Sequence, residues 1–369
     1  MQSRKADRIA GIHRRVGLGI CIVAGLVASC TGAHANPMIL VDAKSGIVME
    51  HQEAFQKWYP ASLTKMMTAY VAFSALRAKR VGLTTVATVS SVAASQAPSK
   101  MYYKPGSKLT LDSALKIMLV KSANDMAVVV AETVGGTMEN FVDQMNAQAR
   151  VLGMSQSHFI NPNGLPGAGQ YTTARDLAVL AMALRRDFPE YAGYFDIEAV
   201  NTGKRTYPNS NMLIGRFDGV DGMKTGYICA SGFNQVSTAT RNGRTVVSVV
   251  LGADSLSDRT DLSANLLQKG LTERASGVRL ASLAPYGAGR DSVSDISAKV
   301  CSASARKARL DGRDENGRLK LTSPYIHEMD HPPQAVFAGL IPGLAPDNPA
   351  AVKGTDIADV PIPIPRPTF

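Results

Sequence analysis

The chain has 369 residues, of which 45% are hydrophobic and 19% charged, a composition that suits a soluble protein with one or two domains around a sizeable core. Its 40 basic and 30 acidic residues give a formal net charge of +10. The basic residues form no run interleaved with aromatics, and neither zinc-finger spacing nor an RNA-binding motif occurs, so the sequence argues against a nucleic-acid partner.

Residues 1–35 resemble a secretory signal peptide. Five basic residues precede the apolar run VGLGICIVAGLVAS, and Ala33-His34-Ala35 offers a small-residue cleavage site. The sequence therefore predicts a secreted or periplasmic protein, whose remaining 35 basic and 29 acidic residues leave a charge of +6. Two alternatives stay open, a retained transmembrane helix and lipidation at Cys30, and either would associate the protein with a membrane through its N-terminus.

The mature chain is predicted to begin with a β-hairpin. Two apolar runs in PMILVDAKSGIVMEH flank Ala43-Lys44-Ser45-Gly46. A helix follows, because Leu63, Met66, Met67, Tyr70 and Val71 share a spacing of three and four residues. Ser62 is then placed at or near the N-terminus of that helix.

Helical periodicity continues from Leu111 to Met154, with breaks at Lys121 to Asn124 and at Gly135-Gly136. A further helix is predicted from Thr173 to Arg186. Two β-rich runs joined by Asn242-Gly243 then indicate a hairpin, and Leu262 to Arg274 is predicted to form a closing helix.

Strands at both ends with helices between them predict an α+β domain over residues 36–275, with an antiparallel sheet, flanking helices and a helical subdomain. Beyond Ser276 the composition shifts to Ser, Ala, Gly, Arg and Asp and ends in PIPIPRPTF. Residues 276–369 are therefore expected to be a largely disordered tail, with local order around Tyr325 to Leu340. Truncation after Ala275 is expected to leave a folded enzyme.

Four cysteines occur, two of them in the signal region. The other two, Cys229 and Cys301, are too few and too far apart for a disulfide scaffold, and each is expected to be a small buried or incidental thiol, although a pairing between them stays open. Cys229 lies close to a candidate site, but no neighbouring histidine in the sequence would activate it.

Three short motifs occur in order: Ser62-Leu63-Thr64-Lys65, Ser122-Ala123-Asn124 and Lys224-Thr225-Gly226. The first two are individually common, and only the order, the spacing and the predicted elements make the set specific. Ser62 begins a helix, Ser122 separates two helices, and Lys224 precedes β-rich sequence. These are the motifs of serine penicillin-binding enzymes.

The first motif has a direct chemical meaning, because positions i and i+3 of a helix share one face and Lys65 can reach the Ser62 hydroxyl. Lysine acts as a base only if its pKa is lowered, and burial beside a second cation such as Lys224 would lower it. The helix N-terminus would also favour negative charge developing near Ser62.

Residues 36–275 resemble the penicillin-sensitive D-alanyl-D-alanine carboxypeptidase family of serine peptidases. Beyond the three motifs, residues 161–178, 208–213 and 221–234 are similar to stretches of that family. The resemblance implies a fold like that of serine β-lactamases and transpeptidases, with no cofactor and no metal. It covers about two thirds of the chain, and the β-rich C-terminal domain and anchoring helix of the best-known members are not evident here.

The resemblance also implies roles for individual residues. Ser122 would relay protons between Lys65 and the leaving amine, and Asn124 would bind the substrate amide. Lys224 and Thr225, followed by Gly226, would hold the terminal carboxylate, and Arg244 would be a second carboxylate contact. The backbone N–H groups of Ser62 and Tyr227 would form the oxyanion hole.

The function implied is removal of the terminal D-alanine from peptidoglycan pentapeptides through a Ser62 acyl-enzyme, with β-lactam antibiotics as inhibitors. A D,D-endopeptidase acting on cross-links and a weakly turning-over penicillin-binding sensor remain alternatives. A β-lactamase with this motif set needs a glutamate to activate the deacylating water, and none lies between Asn140 and Pro189.

Overall fold

The computed structural model describes residues 36–343, and the predicted signal peptide lies outside them. A five-stranded antiparallel sheet, in the order β2-β1-β9-β8-β7, joins strands from the two ends of residues 36–275. Two small sheets, β3-β4 and β10-β5-β6, lie outside it. The strands are β1 (Met38–Asp42), β2 (Val48–Gln52), β3 (Val86–Thr88), β4 (Lys108–Thr110), β5 (Ala199–Asn201), β6 (Thr206–Pro208), β7 (Val220–Ile228), β8 (Gly232–Arg241), β9 (Arg244–Ala253) and β10 (Ala335–Phe337).

Most of the helices lie between β2 and β5 in the chain, as the sequence predicts. The α-helices are α1 (Thr64–Arg77), α2 (Ser91–Ser95), α3 (Leu111–Val120), α4 (Asn124–Gly135), α5 (Met138–Val151), α6 (Ala174–Asp187), α7 (Leu256–Thr272), α8 (Ser297–Val300) and α9 (Ala303–Asp311). Short 3₁₀ turns occur at Ala61–Leu63, Pro189–Tyr194 and Leu280–Ser282. No helix in the described region is both long and apolar enough to cross a membrane.

The central sheet carries apolar side chains on both faces. Ile39 and Val41 of β1 belong to the larger core cluster, which also contains the buried faces of α1, α3, α4 and α6. Leu40, between them, belongs to a second cluster with Ala264 and Leu267 of α7. Successive residues of a strand point to opposite faces, so this alternation sandwiches the sheet between helices and confirms the predicted α+β class.

The predicted hairpins and helix breaks are confirmed. β1 pairs antiparallel with β2, and β8 pairs with β9 through Asn242 and Gly243, whose φ angles of +51° and +74° are those of a type I′ turn. The closing helix differs from the prediction, since α7 begins at Leu256 rather than Leu262. Ser255 caps it by accepting a hydrogen bond from the N–H of Asp258.

The chain after Ser276 differs from the expected disordered tail as far as residue 343. Its scattered apolar residues Leu280, Val300 and Ala338 are buried, although they form no periodic sequence pattern that would predict a buried face. β10 pairs in parallel with β5, and the Thr322 and Ser323 amides donate to Asp261 of α7. The segment is therefore packed against residues 36–275, with Leu280 and Ala338 in the larger core cluster and Val300 in the smaller one.

The expectation that Cys229 and Cys301 are separate thiols is wrong, because the two residues form a disulfide. The C-terminal segment returns to the end of β7 and brings their Cα atoms to 5.6 Å, within the range that a disulfide spans. Sequence separation alone, here 72 residues, gives no sign of this return.

Truncation after Ala275 is now expected to destabilise the protein rather than leave it intact. The truncated chain loses the disulfide, which closes a long loop and by the chain-entropy relation contributes about 4 kcal/mol, together with the burial of Leu280 and Val300. Chemical unfolding should show a lower midpoint for the truncated chain than for the full chain. Equal midpoints for the two would restore the disordered-tail interpretation.

Candidate active site

Ser62 lies in the 3₁₀ turn immediately before α1, at the floor of a groove. Two glycines let other segments approach this turn closely. A β-carbon on Gly164 would lie 1.8 Å from the Ala61 carbonyl oxygen, and one on Gly226 would lie 3.0 Å from the Ser62 nitrogen. Any side chain at Gly164 would therefore displace the turn, and one at Gly226 would crowd it.

Lys65 is fully buried on the same side of the turn as Ser62. Its Nζ lies 2.9 Å from Ser62 Oγ, 2.7 Å from Asn124 Oδ1 and 2.8 Å from the Asn163 carbonyl oxygen. None of these partners carries a negative charge, so nothing in this shell compensates the burial of an ammonium group.

The pKa of Lys65 is well below its ordinary value, mainly because burial disfavours the charged form and secondly because the cation of Lys224 repels it. The carboxylate of Asp125 acts in the opposite direction. The sequence-based expectation that burial and Lys224 together depress this pKa is confirmed. A neutral Lys65 can accept the Ser62 hydroxyl proton.

The Ser122-Ala123-Asn124 motif occupies the short connection between α3 and α4. Ser122 adopts a left-handed conformation with φ of +63°, unusual for a residue other than glycine, and it lines the groove. Among residues 36–343 its side chain makes no hydrogen bond. Asn124 is fixed on its other side, because its Nδ2 donates to the Ala97 carbonyl at 2.9 Å.

The Lys224-Thr225-Gly226 motif forms the opposite wall of the groove, on β7 at the edge of the sheet. Lys224 is buried with its Nζ 3.0 Å from the Thr225 carbonyl oxygen, and its pKa falls to about 7 through burial and, secondly, the charge of Arg259. Thr225 donates its hydroxyl proton to Ser210 Oγ at 2.9 Å. Tyr227 is 42% exposed and lines the groove.

Arg244 does not line this groove, and its prediction as a carboxylate contact is wrong. It begins β9, two strands away from β7, and its Nε pairs with Asp42 Oδ2 at 3.1 Å while its guanidinium also donates to the Glu273 carbonyl. Its guanidinium therefore links the start of β9 to the end of β1 and to the residue after α7, away from the groove.

Arg259 of α7 is the arginine that reaches the groove. It is buried, its Nη2 lies 3.5 Å from the Ser210 carbonyl oxygen, and burial lowers its pKa to about 10. The sequence analysis missed it because the predicted helix began at Leu262. The Ser255-x-x-Asp258 spacing, typical of a helix N-terminus, would have extended the helix to include it.

The resulting groove has a volume of about 360 Å³. It brings together all the predicted site residues except Lys65 and Lys224, which are buried behind its wall, and Arg244, which is remote. Asn163 and Ser210, also absent from the predicted set, lie in stretches that the sequence analysis noted only for their family resemblance. The residues around the groove include Ser62, Ser99, Ser122, Asn124, Asn163, Leu165, Ser210, Thr225, Gly226, Tyr227, Leu256 and Arg259.

In the described part of the chain no three His, Cys, Asp or Glu side chains lie close enough to share a metal ion. Asp125 and Asp176 have structural hydrogen-bonding roles. Asp125 accepts hydrogen bonds from the backbone N–H of Met101 and of Met126, and burial raises its pKa. Asp176 accepts from Gln156 and Ser157 near the start of α6.

A family model for D-alanyl-D-alanine carboxypeptidases matches residues 26–255, well over half of the chain. The chain belongs to this family of serine peptidases. D-alanyl-D-alanine carboxypeptidase DacC of Escherichia coli is 37% identical over 243 residues, which are 64% of this chain and 61% of that relative. The chain thus matches about three fifths of the length of such curated relatives.

Solved structures give the same fold. The D-alanyl-D-alanine carboxypeptidase DacD of Francisella tularensis is 33% identical and superposes with a TM-score of 0.62 over 64% of this chain and 70% of that one. Penicillin-binding protein D2 of Listeria monocytogenes, in its ampicillin-bound form, is 28% identical with a TM-score of 0.58 over 65% of this chain and 98% of that one. The transpeptidase-like fold expected from the motifs is therefore confirmed.

Proposed function

We propose that this protein is a serine D-alanyl-D-alanine carboxypeptidase acting on peptidoglycan stem pentapeptides. The observation that carries the proposal is a buried Lys65 of lowered pKa, whose Nζ lies 2.9 Å from Ser62 Oγ. Thr225 and Arg259 line the other side of the groove, with Lys224 buried behind them. The first pair supplies an activated nucleophile. The second set supplies a site for a free carboxylate.

The reaction follows from this arrangement. Ser62 Oγ attacks the carbonyl carbon of the penultimate D-alanine while Lys65 takes the hydroxyl proton. The N–H groups of Ser62 and Tyr227 stabilise the tetrahedral oxyanion. The C–N bond then breaks, the terminal D-alanine leaves as an amine that receives the proton through Ser122, and water hydrolyses the ester on Ser62.

Asn124 is proposed to orient the substrate amide, because its side chain is fixed between Lys65 and the Ala97 carbonyl. A β-lactam presents a strained amide and a carboxylate to the same groups, and its acyl-enzyme would remain on Ser62. The ampicillin-bound relative supports β-lactam inhibition of this chain.

We also propose that the protein works in the periplasm or outside the cell. The predicted signal peptide and the Cys229–Cys301 disulfide both support an oxidising compartment. Membrane association would come from residues 1–35 if they are retained or if Cys30 is lipidated. Release of D-alanine from a pentapeptide ending in D-Ala-D-Ala, set against cleavage of a cross-linked dimer, tests the carboxypeptidase activity against the endopeptidase alternative.

The carboxylate site gives a sharper test. Arg259→Ala is expected to reduce kcat/KM for the pentapeptide by roughly ten- to a hundredfold, because a charge-assisted hydrogen bond to a carboxylate is lost. Amidating the terminal carboxylate should cause a similar loss in the wild type but little more in the variant, since both changes remove one interaction.

Arg244→Ala is the matched control, since its guanidinium pairs with Asp42 on the far side of the sheet. It should leave the ratio of acid to amide turnover at the wild-type value. Arg259→Lys should recover part of the lost activity. Full additivity of amidation and Arg259→Ala would show that Arg259 does not bind the carboxylate.

A further inference from the structure

The C-terminal segment is fastened to the strand that forms one wall of the proposed active site. Cys229 follows directly after β7 and is joined by the disulfide to Cys301. One residue further on, the Ala230 carbonyl accepts a hydrogen bond from the N–H of Ile296 at 3.1 Å. Two attachments within two residues therefore hold residues 296–301 against the end of β7.

β7 is a strand that needs such support. Among residues 36–343 it is the last strand of the five-stranded sheet and pairs with β8 alone, and its other edge faces the groove and the turn that carries Ser62. A strand held along one edge is less constrained than an interior strand, and its end is the part most free to move. The disulfide lies two residues beyond Tyr227.

Tyr227 contacts the C-terminal segment directly. Its ring is stacked on Phe233 with centroids 4.3 Å apart, and its hydroxyl oxygen lies 3.3 Å from Cys301 Sγ. The guanidinium of Arg309 in α9 lies 5.7 Å from the Phe233 centroid. The aromatic pair thus contacts the C-terminal segment through Cys301 and Arg309.

Cys301 and Arg309 both lie beyond the family match, which ends at residue 255. The side of the groove at Tyr227 is therefore completed by sequence that the family model does not contain. A ring that is 42% exposed beside the nucleophile would otherwise sample several rotamers, and each would offer the substrate a different surface.

We infer that the Cys229–Cys301 disulfide is a positioning element that fixes the Tyr227 ring as a wall of the substrate groove. Cys301 acts through Tyr227 and touches no reacting atom. Substrate binding then depends on the C-terminal segment, although the three catalytic motifs lie outside it. This inference rests on the proposed carboxypeptidase function.

The test compares Cys229→Ser/Cys301→Ser with the wild-type full chain on a D-Ala-D-Ala pentapeptide. KM is expected to rise about five- to tenfold with a smaller change in kcat, because the Tyr227 ring is loosened while pairing with β8 still holds the Tyr227 backbone and Ser62 and Lys65 keep their geometry. Tyr227→Ala should raise KM similarly, and combining it with the double serine variant should add little. Lys307→Ala, an exposed change on α9, serves as the control and should leave KM unchanged.

Stability is followed in parallel by thermal unfolding. A disulfide with a purely structural role would lower the unfolding temperature, leave KM unchanged and give effects that add to those of Tyr227→Ala, and this result would overturn the inference. If the double serine variant does not fold, the folded wild type is reduced with dithiothreitol and alkylated, and the same rise in KM is expected.

The rate of acylation by a fluorescent penicillin is measured on every variant. Wild-type release of D-alanine with a KM insensitive to the disulfide would sink the inference and leave the proposed function intact. A wild type that releases no D-alanine would instead contradict the function. In that case a slower acylation in the disulfide variants would still support the positioning of Tyr227, and an unchanged rate would contradict it.

Discussion

Replacing Ser62 by alanine is expected to abolish covalent labelling by ampicillin and to reduce D-alanine release about 10⁴-fold or more, because no acyl-enzyme can form. The residue is partly accessible at the floor of the groove, and its hydroxyl contacts Lys65 Nζ. Intact mass and peptide mapping would show a single adduct on the wild type, on the peptide that carries Ser62.

Ser91→Ala is a suitable control, because this exposed serine starts α2 outside the groove. It should retain full labelling and full turnover. Cys229 and Cys301 are not competing nucleophiles, since both sulfurs are bonded in the disulfide. Labelling that persists in Ser62→Ala, on another serine or on a lysine, would overturn the assignment of the nucleophile.

The elements that carry the catalytic motifs could be predicted from sequence because their signals are local. The helix after Ser62 has its apolar spacing, and the connection at Ser122 is marked by a break between two periodic runs. The β8–β9 hairpin is marked by Asn242-Gly243. In each case the residues that determine the conformation lie within one turn of the element they define.

The errors share the opposite property, since each depends on contacts between distant parts of the chain. Arg244 follows a recognisable turn, but whether it reaches the groove depends on the strand order, which puts β9 next to β1. Cys301 appears isolated in sequence and becomes a disulfide partner only because the chain after Ser276 returns to β7. Amino-acid composition does not predict the order of such a segment when only a few single apolar residues anchor it to the core.

The site contains three buried basic side chains, and the charges of its neighbours help to lower the pKa of each lysine. Lys65, Lys224 and Arg259 lie close enough for each lysine to lose affinity for its proton, Lys65 through burial and Lys224, and Lys224 through burial and Arg259. Burying three positive charges close together is unfavourable, and loss of a proton from Lys65 reduces their mutual repulsion. The cluster proposed to bind the substrate carboxylate would thus also lower the pKa of the proposed base.

Lys65→Met is expected to slow acylation by ampicillin and turnover of the pentapeptide by about 10²- to 10⁴-fold, the usual contribution of a general base. In the wild type the neutral form of Lys65 is active, so kcat/KM should rise with pH as Lys65 loses its proton. Burial and, secondly, the charge of Lys224 lower the pKa of Lys65, so that acid limb should lie well below the ordinary lysine value.

Asp125→Asn tests the sign of this argument without touching the groove. The Asp125 carboxylate favours the charged form of Lys65, so its removal should lower the Lys65 pKa further and move the acid limb of kcat/KM to lower pH. Asparagine can still accept a hydrogen bond from the Met101 amide, which limits structural disturbance. A pH–rate profile for both proteins, with pentapeptide and with ampicillin, measures the shift. Movement of the acid limb to higher pH in Asp125→Asn would mean that another group is the base. The same conclusion would follow if the limb did not move in Asp125→Asn and was still present in Lys65→Met.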